Sequence, residues 1–163
     1  MSKIIILCIE DEAEVREALA RDLAPFRAVF RLETAEDAED ARSVLRAAEE
    51  RGDAVGLILC DHLLPGQRGV DFLIELHKAE STASTRKVLI TGQAGLDDTI
   101  RAINEAGLHH YIAKPWTPEN LHAVVRNQLT EFVLAEEEEL LPYVALLDSA
   151  RLLDVISKRK SSD

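Results

Sequence analysis

Short apolar runs alternate along the chain with stretches in which apolar residues recur at helical spacing. The runs predict five β-strands, at Ile4–Ile9, Ala28–Leu32, Val55–Cys60, Lys87–Ile90 and His110–Ala113. Most of these runs lack a strict alternation of polar and apolar residues, which indicates strands that are buried on both faces. Such a sheet needs helices on each side, so the pattern is typical of βαβ units with a parallel sheet.

Capping residues and apolar spacing predict the first two helices. The first ends before Pro25, which cannot continue a helix. Its apolar positions are Val15, Leu19 and Leu23. Thr34 and Asp37 have the spacing of a capping box that opens a second helix, and Gly52 closes that helix. Its predicted buried side consists of Ala38, Ala41, Val44, Leu45 and Ala48.

Three further helices follow the third, fourth and fifth strands. One runs from about Val70 to Lys78, and the next runs from Asp97 to Ala106, with Gly107 as its stop. The fifth begins at Thr117 as N-cap, with Pro118 in the first helical position. The apolar positions of these helices are Leu73, Leu76, Ile100, Ile103, Leu121, Val124, Val125, Leu129 and Phe132.

These elements predict an α/β fold in which right-handed crossovers place helices on both faces, a doubly wound (βα)5 sandwich. Ligands of such sheets bind beyond the carboxyl ends of the strands. Polar residues stand at or just past those ends: Glu10, Asp11, Asp61, Thr91 and Lys114. We therefore expect the functional site at this edge.

Clustered carboxylates at one edge indicate a metal site. Asp11 and Asp61 supply hard oxygen ligands of the kind that Mg2+ prefers, and Glu10 would assist through water. The cation also offsets repulsion among the acids. The backbone carbonyl of Leu63, just after Asp61, is the candidate for a further ligand.

The same edge carries groups suited to phosphoryl transfer onto a carboxylate. The transition state spreads charge over three phosphoryl oxygens, so catalysis consists mainly of positioning and counter-charge. Mg2+ can contact one oxygen, Lys114 a second and the Thr91 hydroxyl a third. Asp61 would be the nucleophile.

A specific family resemblance rests on four ordered segments. They are Ile9–Glu12, Asp61–Gly66 with Gly69, Leu89–Gly92 and Tyr111–Pro115. With these segments in their usual spacing, about residues 3 to 135 resemble the receiver domain of two-component response regulators, of the chemotaxis-regulator type. The resemblance implies the flavodoxin-like strand order 2-1-3-4-5.

The resemblance also implies roles for individual residues. Asp61 is the expected phosphoacceptor, Asp11 and Asp61 bind Mg2+ directly with help from Glu10, and Lys114 contacts the phosphoryl group. Thr91 and Tyr111 form the expected switch pair, and the Lys114-Pro115 bond is expected to be cis. Glu10 replaces the commoner aspartate of the acidic pair.

Two further positions are ones at which the resembled family varies. Leu63 and Gln93 stand two residues past the phosphoacceptor and two past the threonine. These positions tune the lifetime of the acyl phosphate in the family, so they bear on how long this chain would stay phosphorylated.

The implied function is a phosphorylation switch in a histidine-to-aspartate relay. A sensor histidine kinase or phosphotransfer protein donates to Asp61 with Mg2+, and contacts of the surface formed by the fourth helix, fifth strand and fifth helix change. The chain is then no enzyme beyond self-catalysed phosphoryl transfer and autodephosphorylation. One alternative is a Mg2+-dependent phosphohydrolase with an aspartyl intermediate, which Leu63 disfavours because the haloacid-dehalogenase type has a second acid there. Another is a docking module that is not phosphorylated.

Composition narrows the class of protein. The 163 residues suffice for one domain, and the net charge of -11 argues against direct contact with nucleic acid. The first apolar run is short and ends in acids, unlike a secretion signal, and no run is long enough for a membrane span. We expect a cytoplasmic protein. Cys8 and Cys60 lie in apolar runs and are expected to be buried and reduced.

The histidines and one acidic run suggest no second site. The histidines match no metal-ligand spacing, and the pair His109-His110 is expected to mark a polar entry to the last strand. His62 is the exception of interest, because it adjoins Asp61. The run of glutamates at 136–139 is expected to be a solvated helix face.

Helical pattern continues beyond the receiver-like part. Pro142 should kink this helix or start a new one, after which an apolar stripe resumes. The stripe consists of Tyr143, Leu146, Leu147, Ala150, Leu153 and Ile156. We divide the chain into a receiver domain, 1–135, and a C-terminal helical extension, 136–163, for dimerisation, docking or connection.

The extension has to bury its stripe somewhere. It packs either against its own domain or against a second copy, and a homodimer through the fifth helix and the extension is slightly favoured because receivers commonly pair there. Whether the chain is a complete regulator or the receiver of a longer protein stays open.

Overall fold

The computed structural model describes residues 2–92 and 95–161. Each strand is followed by a helix, and a sixth helix ends the described chain. The strands are β1 Ile4–Ile9, β2 Arg31–Ala35, β3 Ala54–Cys60, β4 Arg86–Thr91 and β5 His110–Ala113. The helices are α1 Ala13–Asp22, α2 Ala38–Arg51, α3 Gly69–Lys78, α4 Leu96–Glu105, α5 Pro118–Glu136 and α6 Ser149–Ser161.

All strand pairs are parallel, and the sheet order is β2-β1-β3-β4-β5. This confirms the predicted doubly wound fold and strand order. Buried side chains form one core on each face of the sheet. Cys8 belongs to one core and Cys60 to the other, so the sheet separates the two thiols, and burial raises the pKa of the Cys8 thiol to about 12. Both are buried free cysteines, as expected.

The second strand begins later than predicted. Residues Ala24–Ala28 form a 3-10 helix with Pro25 in its first turn, and the Phe30 N–H donates to the Phe26 carbonyl at 2.9 Å. The apolar character of this stretch therefore serves a turn that buries Phe26 and Phe30 in the core. β2 itself is an edge strand with only β1 beside it, so it lacks a continuous apolar run.

The predicted capping box of α2 is wrong in its first member. Thr34 lies inside β2, where it pairs with Cys8. Asp37 is the N-cap, and its carboxylate accepts the Asp40 N–H at 2.7 Å. Gly52 ends the helix in the left-handed conformation, as expected. At α5, Thr117 caps and Pro118 opens the helix, also as expected.

The C-terminal extension packs on its own domain. α5 ends before Pro142, which lies in the 3-10 helix Leu141–Tyr143, and α6 follows after a short connection. Leucines of the extension complete the core over α5, namely Leu140, Leu147 and Leu152. The Tyr143 ring stacks on Phe30 with 5.7 Å between ring centroids. Of the two packing alternatives, the structure shows the intramolecular one.

Polar contacts reinforce this packing. The Asp148 N–H donates to the Thr130 hydroxyl at 3.1 Å, and Arg151 pairs with Glu131 at 2.6 Å.

None of the helices in the described ranges has the length and apolar character required to cross a membrane.

Candidate functional site

The strand ends bring the predicted site residues to one edge of the sheet because backbone pairing continues just past the strands. The Glu10 N–H donates to the Ala35 carbonyl and the Asp61 N–H to the Ile9 carbonyl, both at 3.0 Å. The Lys114 N–H reaches the Thr91 carbonyl at 3.4 Å. Glu10, Asp61 and Lys114 are thus held by backbone hydrogen bonds that extend the sheet.

Three carboxylates meet at this edge. Glu10, Asp11 and Asp61 each offer an oxygen, and these oxygens all lie within 4.8 Å of one another. Glu10 and Asp61 are buried and Asp11 is exposed, so the group opens to solvent on one side. The buried Asp61 Oδ1 has no hydrogen-bond partner among the described residues. A hard divalent cation is the ligand that such an acceptor set fits.

Lys114 supplies the counter-charge. Its ammonium pairs with Glu10 Oε1 and lies 3.3 Å from Asp61 Oδ2. Burial lowers the pKa of Lys114, but the hydrogen bond to Glu10 and the charge of Asp61 outweigh it and raise that pKa. The lysine therefore stays charged beside Asp61. The Lys114-Pro115 bond is cis, as expected.

Glu10 is the most buried acid of the group. Its Oε2 accepts the Glu12 N–H at 3.2 Å, yet burial, together with the negative charge of Asp61, raises the pKa of Glu10 more than this bond and Lys114 lower it. A bound cation would offset the same burial cost.

Arg16 contributes to the geometry of the acidic site, and the sequence pattern did not identify it. Its guanidinium donates to the Glu10 carbonyl at 2.9 Å and to the Asp11 carbonyl at 3.4 Å. These bonds hold the turn between β1 and α1, and so aim both acids. The available signal was the position of Arg16 as the first basic residue after the acidic cluster.

Thr91 and Tyr111 are linked through the backbone. Thr91 is buried at the end of β4, and its carbonyl accepts the Tyr111 hydroxyl at 2.9 Å. Displacement of Thr91 would therefore move the acceptor of Tyr111. Gln93, one of the two positions expected to tune the lifetime of the acyl phosphate, lies outside the described residues.

The segment after Asp61 folds back tightly onto α3. The Gly69 N–H donates to the His62 carbonyl at 2.9 Å, and a Cβ on Gly69 would stand 2.0 Å from the Asp61 carbonyl oxygen. Only glycine fits there. Leu63 is 41% exposed, and the role of its carbonyl as a metal ligand stays a prediction.

Other histidines have structural contacts away from this edge. His109 Nδ1 accepts the Lys87 N–H at 2.9 Å, and His122 Nε2 contacts the Asp22 carbonyl. His110 begins β5, as predicted. Within residues 2–92 and 95–161, Glu10, Asp11 and Asp61 are the one group of His, Cys, Asp and Glu ligands close enough to share a metal ion.

Comparison with known proteins finds relatives that agree with the resemblance to receiver domains. The sequence matches the family described as the response regulator receiver domain over residues 6–126. It is 36% identical to the hydrogenase transcriptional regulatory protein HoxA of Cupriavidus necator over 121 residues, 74% of this chain and 23% of that protein. It is 30% identical to the phosphate regulon transcriptional regulatory protein PhoB of Pseudomonas aeruginosa over 160 residues, 97% of this chain and 63% of that protein.

A solved structure supports the same fold. The signal receiver domain of an HD domain-containing protein from Pseudomonas fluorescens superposes with a TM-score of 0.73 at 26% identity, covering 85% of this chain and 96% of that domain. The two regulators above are longer proteins, of which this chain spans less than two thirds.

Proposed function

This chain belongs to the response regulator receiver domain family, and on that premise we propose that Asp61 is the residue that becomes phosphorylated. The donor is a phosphohistidine of a sensor histidine kinase or phosphotransfer protein, the partners of receiver domains. A carboxylate oxygen of Asp61 forms the new P–O bond as the P–N bond breaks, and the electron pair stays on the imidazole nitrogen. The carrying observation is a buried Asp61 with Lys114 at 3.3 Å and two further acids within 4.8 Å.

The remaining residues of the site divide the work of binding and counter-charge. Glu10, Asp11 and Asp61 would hold Mg2+, which supplies positive charge for the phosphoryl oxygens. Lys114 neutralises a second oxygen, because its raised pKa keeps it charged. Arg16 fixes the turn that carries Glu10 and Asp11.

The response to phosphorylation runs through Thr91 and Tyr111. An added phosphoryl group offers new acceptors and draws the Thr91 side chain toward Asp61. The carbonyl that accepts the Tyr111 hydroxyl belongs to Thr91, so Tyr111 follows. The surface of α4, β5 and α5 then changes its preferred partner. On α4 that surface exposes Leu96, Ile100 and Ile103.

Output is protein contact in this proposal. The relatives are named as transcriptional regulators, so the comparisons do not support excluding nucleic acid as a partner of a longer protein. The net charge of -11 disfavours DNA contact by these residues themselves. The C-terminal extension packs against its own domain. Pairing of two copies would use the face of the extension that remains exposed, which includes Leu141 and Leu153.

A titration with beryllofluoride and Mg2+ tests the proposal. Trp116 is the single tryptophan and follows the Lys114-Pro115 pair, so its fluorescence should report occupation of the site. We expect saturable, Mg2+-dependent binding that Asp61→Asn abolishes. Equal behaviour of the wild type and Asp61→Asn would overturn the assignment.

A further inference from the structure

His62 makes a partly buried hydrogen bond that leads away from the candidate site. Its side chain is 1% exposed, although it follows Asp61 directly. Nδ1 accepts the Val70 N–H at 3.4 Å, so the ring proton lies on Nε2. Nε2 donates to Asp98 Oδ2 at 3.1 Å. The residue after the phosphoacceptor is therefore joined to the first turn of α4.

This bond matters because α4 has few other anchors. Ala102 is the single buried residue of α4, whereas α3 buries Gly69, Val70, Phe72, Leu73 and Leu76. The N-cap Gly95 has no side chain to cap the helix. A helix with little apolar burial belongs to the least stable parts of a fold, so a polar bond at its first turn strongly affects its position.

A second polar contact of α4, an ion pair with α3, is weaker than the bond to His62. Arg101 on α4 pairs with Asp71 on α3 at 2.9 Å, but the two side chains are 46% and 42% exposed. Exposed ion pairs contribute little. His62, by contrast, is buried, and a hydrogen bond from a buried donor to a carboxylate is costly to lose.

We propose that His62 is a positioning residue that holds α4 through Asp98 in the arrangement of the unphosphorylated chain, and so restrains the switch. This rests on the proposed function. The bond stabilises the present arrangement of α4, so its loss favours the switched arrangement and tightens binding of a phosphoryl mimic. Loss of one partly exposed hydrogen bond to a charged group should raise the affinity for the phosphoryl mimic roughly tenfold.

The test measures the affinity of variants of this 163-residue chain for beryllofluoride with Mg2+, together with hydrogen exchange of α4 amides without ligand. Asp98→Ala breaks the bond to His62 and also removes the ion pair of Asp98 with Arg101 at 3.6 Å. Asp98→Asn likewise removes the charge that faces Arg101 but keeps an acceptor oxygen for His62, so the two variants together isolate the bond to His62. Asp97→Ala removes the neighbouring acid of the same turn and serves as the matched control. Asp98→Ala should bind about tenfold more tightly and exchange its α4 amides faster. Asp98→Asn and Asp97→Ala should stay near the wild type.

The outcomes separate this inference from the function on which it rests. A residue of purely structural importance would weaken binding when lost, so tighter binding is a specific signature. Asp98→Ala with affinity equal to or weaker than Asp97→Ala would overturn the inference while leaving phosphorylation intact. A wild type that binds no beryllofluoride would refute the proposed function, and the inference with it.

Discussion

The Lys114 ammonium lies 3.3 Å from Asp61 Oδ2, and this contact places a fixed positive charge where a phosphoryl group would form. The same ammonium pairs with Glu10, so it also offsets part of the charge of the acidic group. In the proposed function, Lys114 would therefore favour the phosphoryl group, whose oxygens it would contact, and oppose Mg2+, whose acidic ligands it partly neutralises.

Replacement of Lys114 should therefore separate metal binding from phosphorylation. Lys114→Met keeps most of the stem and removes the charge. Phosphorylation by acetyl phosphate should slow roughly 100-fold, as for loss of one oxyanion donor. Mg2+ affinity should stay equal or rise, because the acids lose a competing cation. Lys78→Met, at the exposed end of α3, is the control; a parallel fall in Mg2+ affinity and rate in Lys114→Met would contradict this account.

The C-terminal extension offers a matched pair of leucines. Leu152 is fully buried in the core, whereas its neighbour Leu153 is 50% exposed. Leu152→Ala should lower the free energy of unfolding in urea by about 2–5 kcal/mol. Leu153→Ala should change it by no more than about 0.5 kcal/mol. Equal, small effects would show that the extension is a free connector.

Lys87 provides a test through pH. Its side chain is buried, and its ammonium donates to the Thr85 carbonyl at 2.8 Å and the Thr82 carbonyl at 3.1 Å. Burial, with a smaller contribution from the charge of Arg86, lowers the pKa of Lys87 from 10.5 to about 8. The unfolded chain therefore binds more protons than the folded chain between those two values, and stability rises with pH there. The full effect is at most about 3 kcal/mol.

A difference measurement isolates this contribution. The buried thiols titrate in the same alkaline range with the opposite sign, because burial raises the pKa of Cys8 and Cys60. Urea unfolding of the wild type and Lys87→Met at a series of pH values cancels these shared terms. The wild type should gain stability relative to Lys87→Met from pH 8 upward. A flat or falling difference would refute the lowered pKa.

Sequence patterns predicted best where burial on both faces leaves one interpretation. The buried strand β1 has the predicted bounds, and the largely buried β3 differs by one residue at its start. β2 was misplaced because the apolar residues before it belong to a 3-10 turn. Exposure alone does not explain the error, since the other edge strand, β5, has the predicted bounds. Periodicity reports that a residue is buried, not which element buries it.

The candidate site shows the same limit. Acids and a lysine at strand ends could be grouped from the sequence, since parallel strands bring their carboxyl ends together. The link from His62 to Asp98 joins residues 36 positions apart through a side-chain rotamer, which no spacing rule specifies. The extension likewise has an apolar stripe whose partner surface, around Phe30 and α5, appears only in the folded chain.

Location of the phosphoryl group tests the central claim most directly. The 163-residue chain is incubated with acetyl phosphate and Mg2+, its intact mass is measured, and the modified peptide is identified. The account predicts one added phosphoryl group, on the peptide that contains Asp61, dependent on Mg2+ and absent from Asp61→Asn. An unmodified wild type, or a group that is retained in Asp61→Asn, would contradict it.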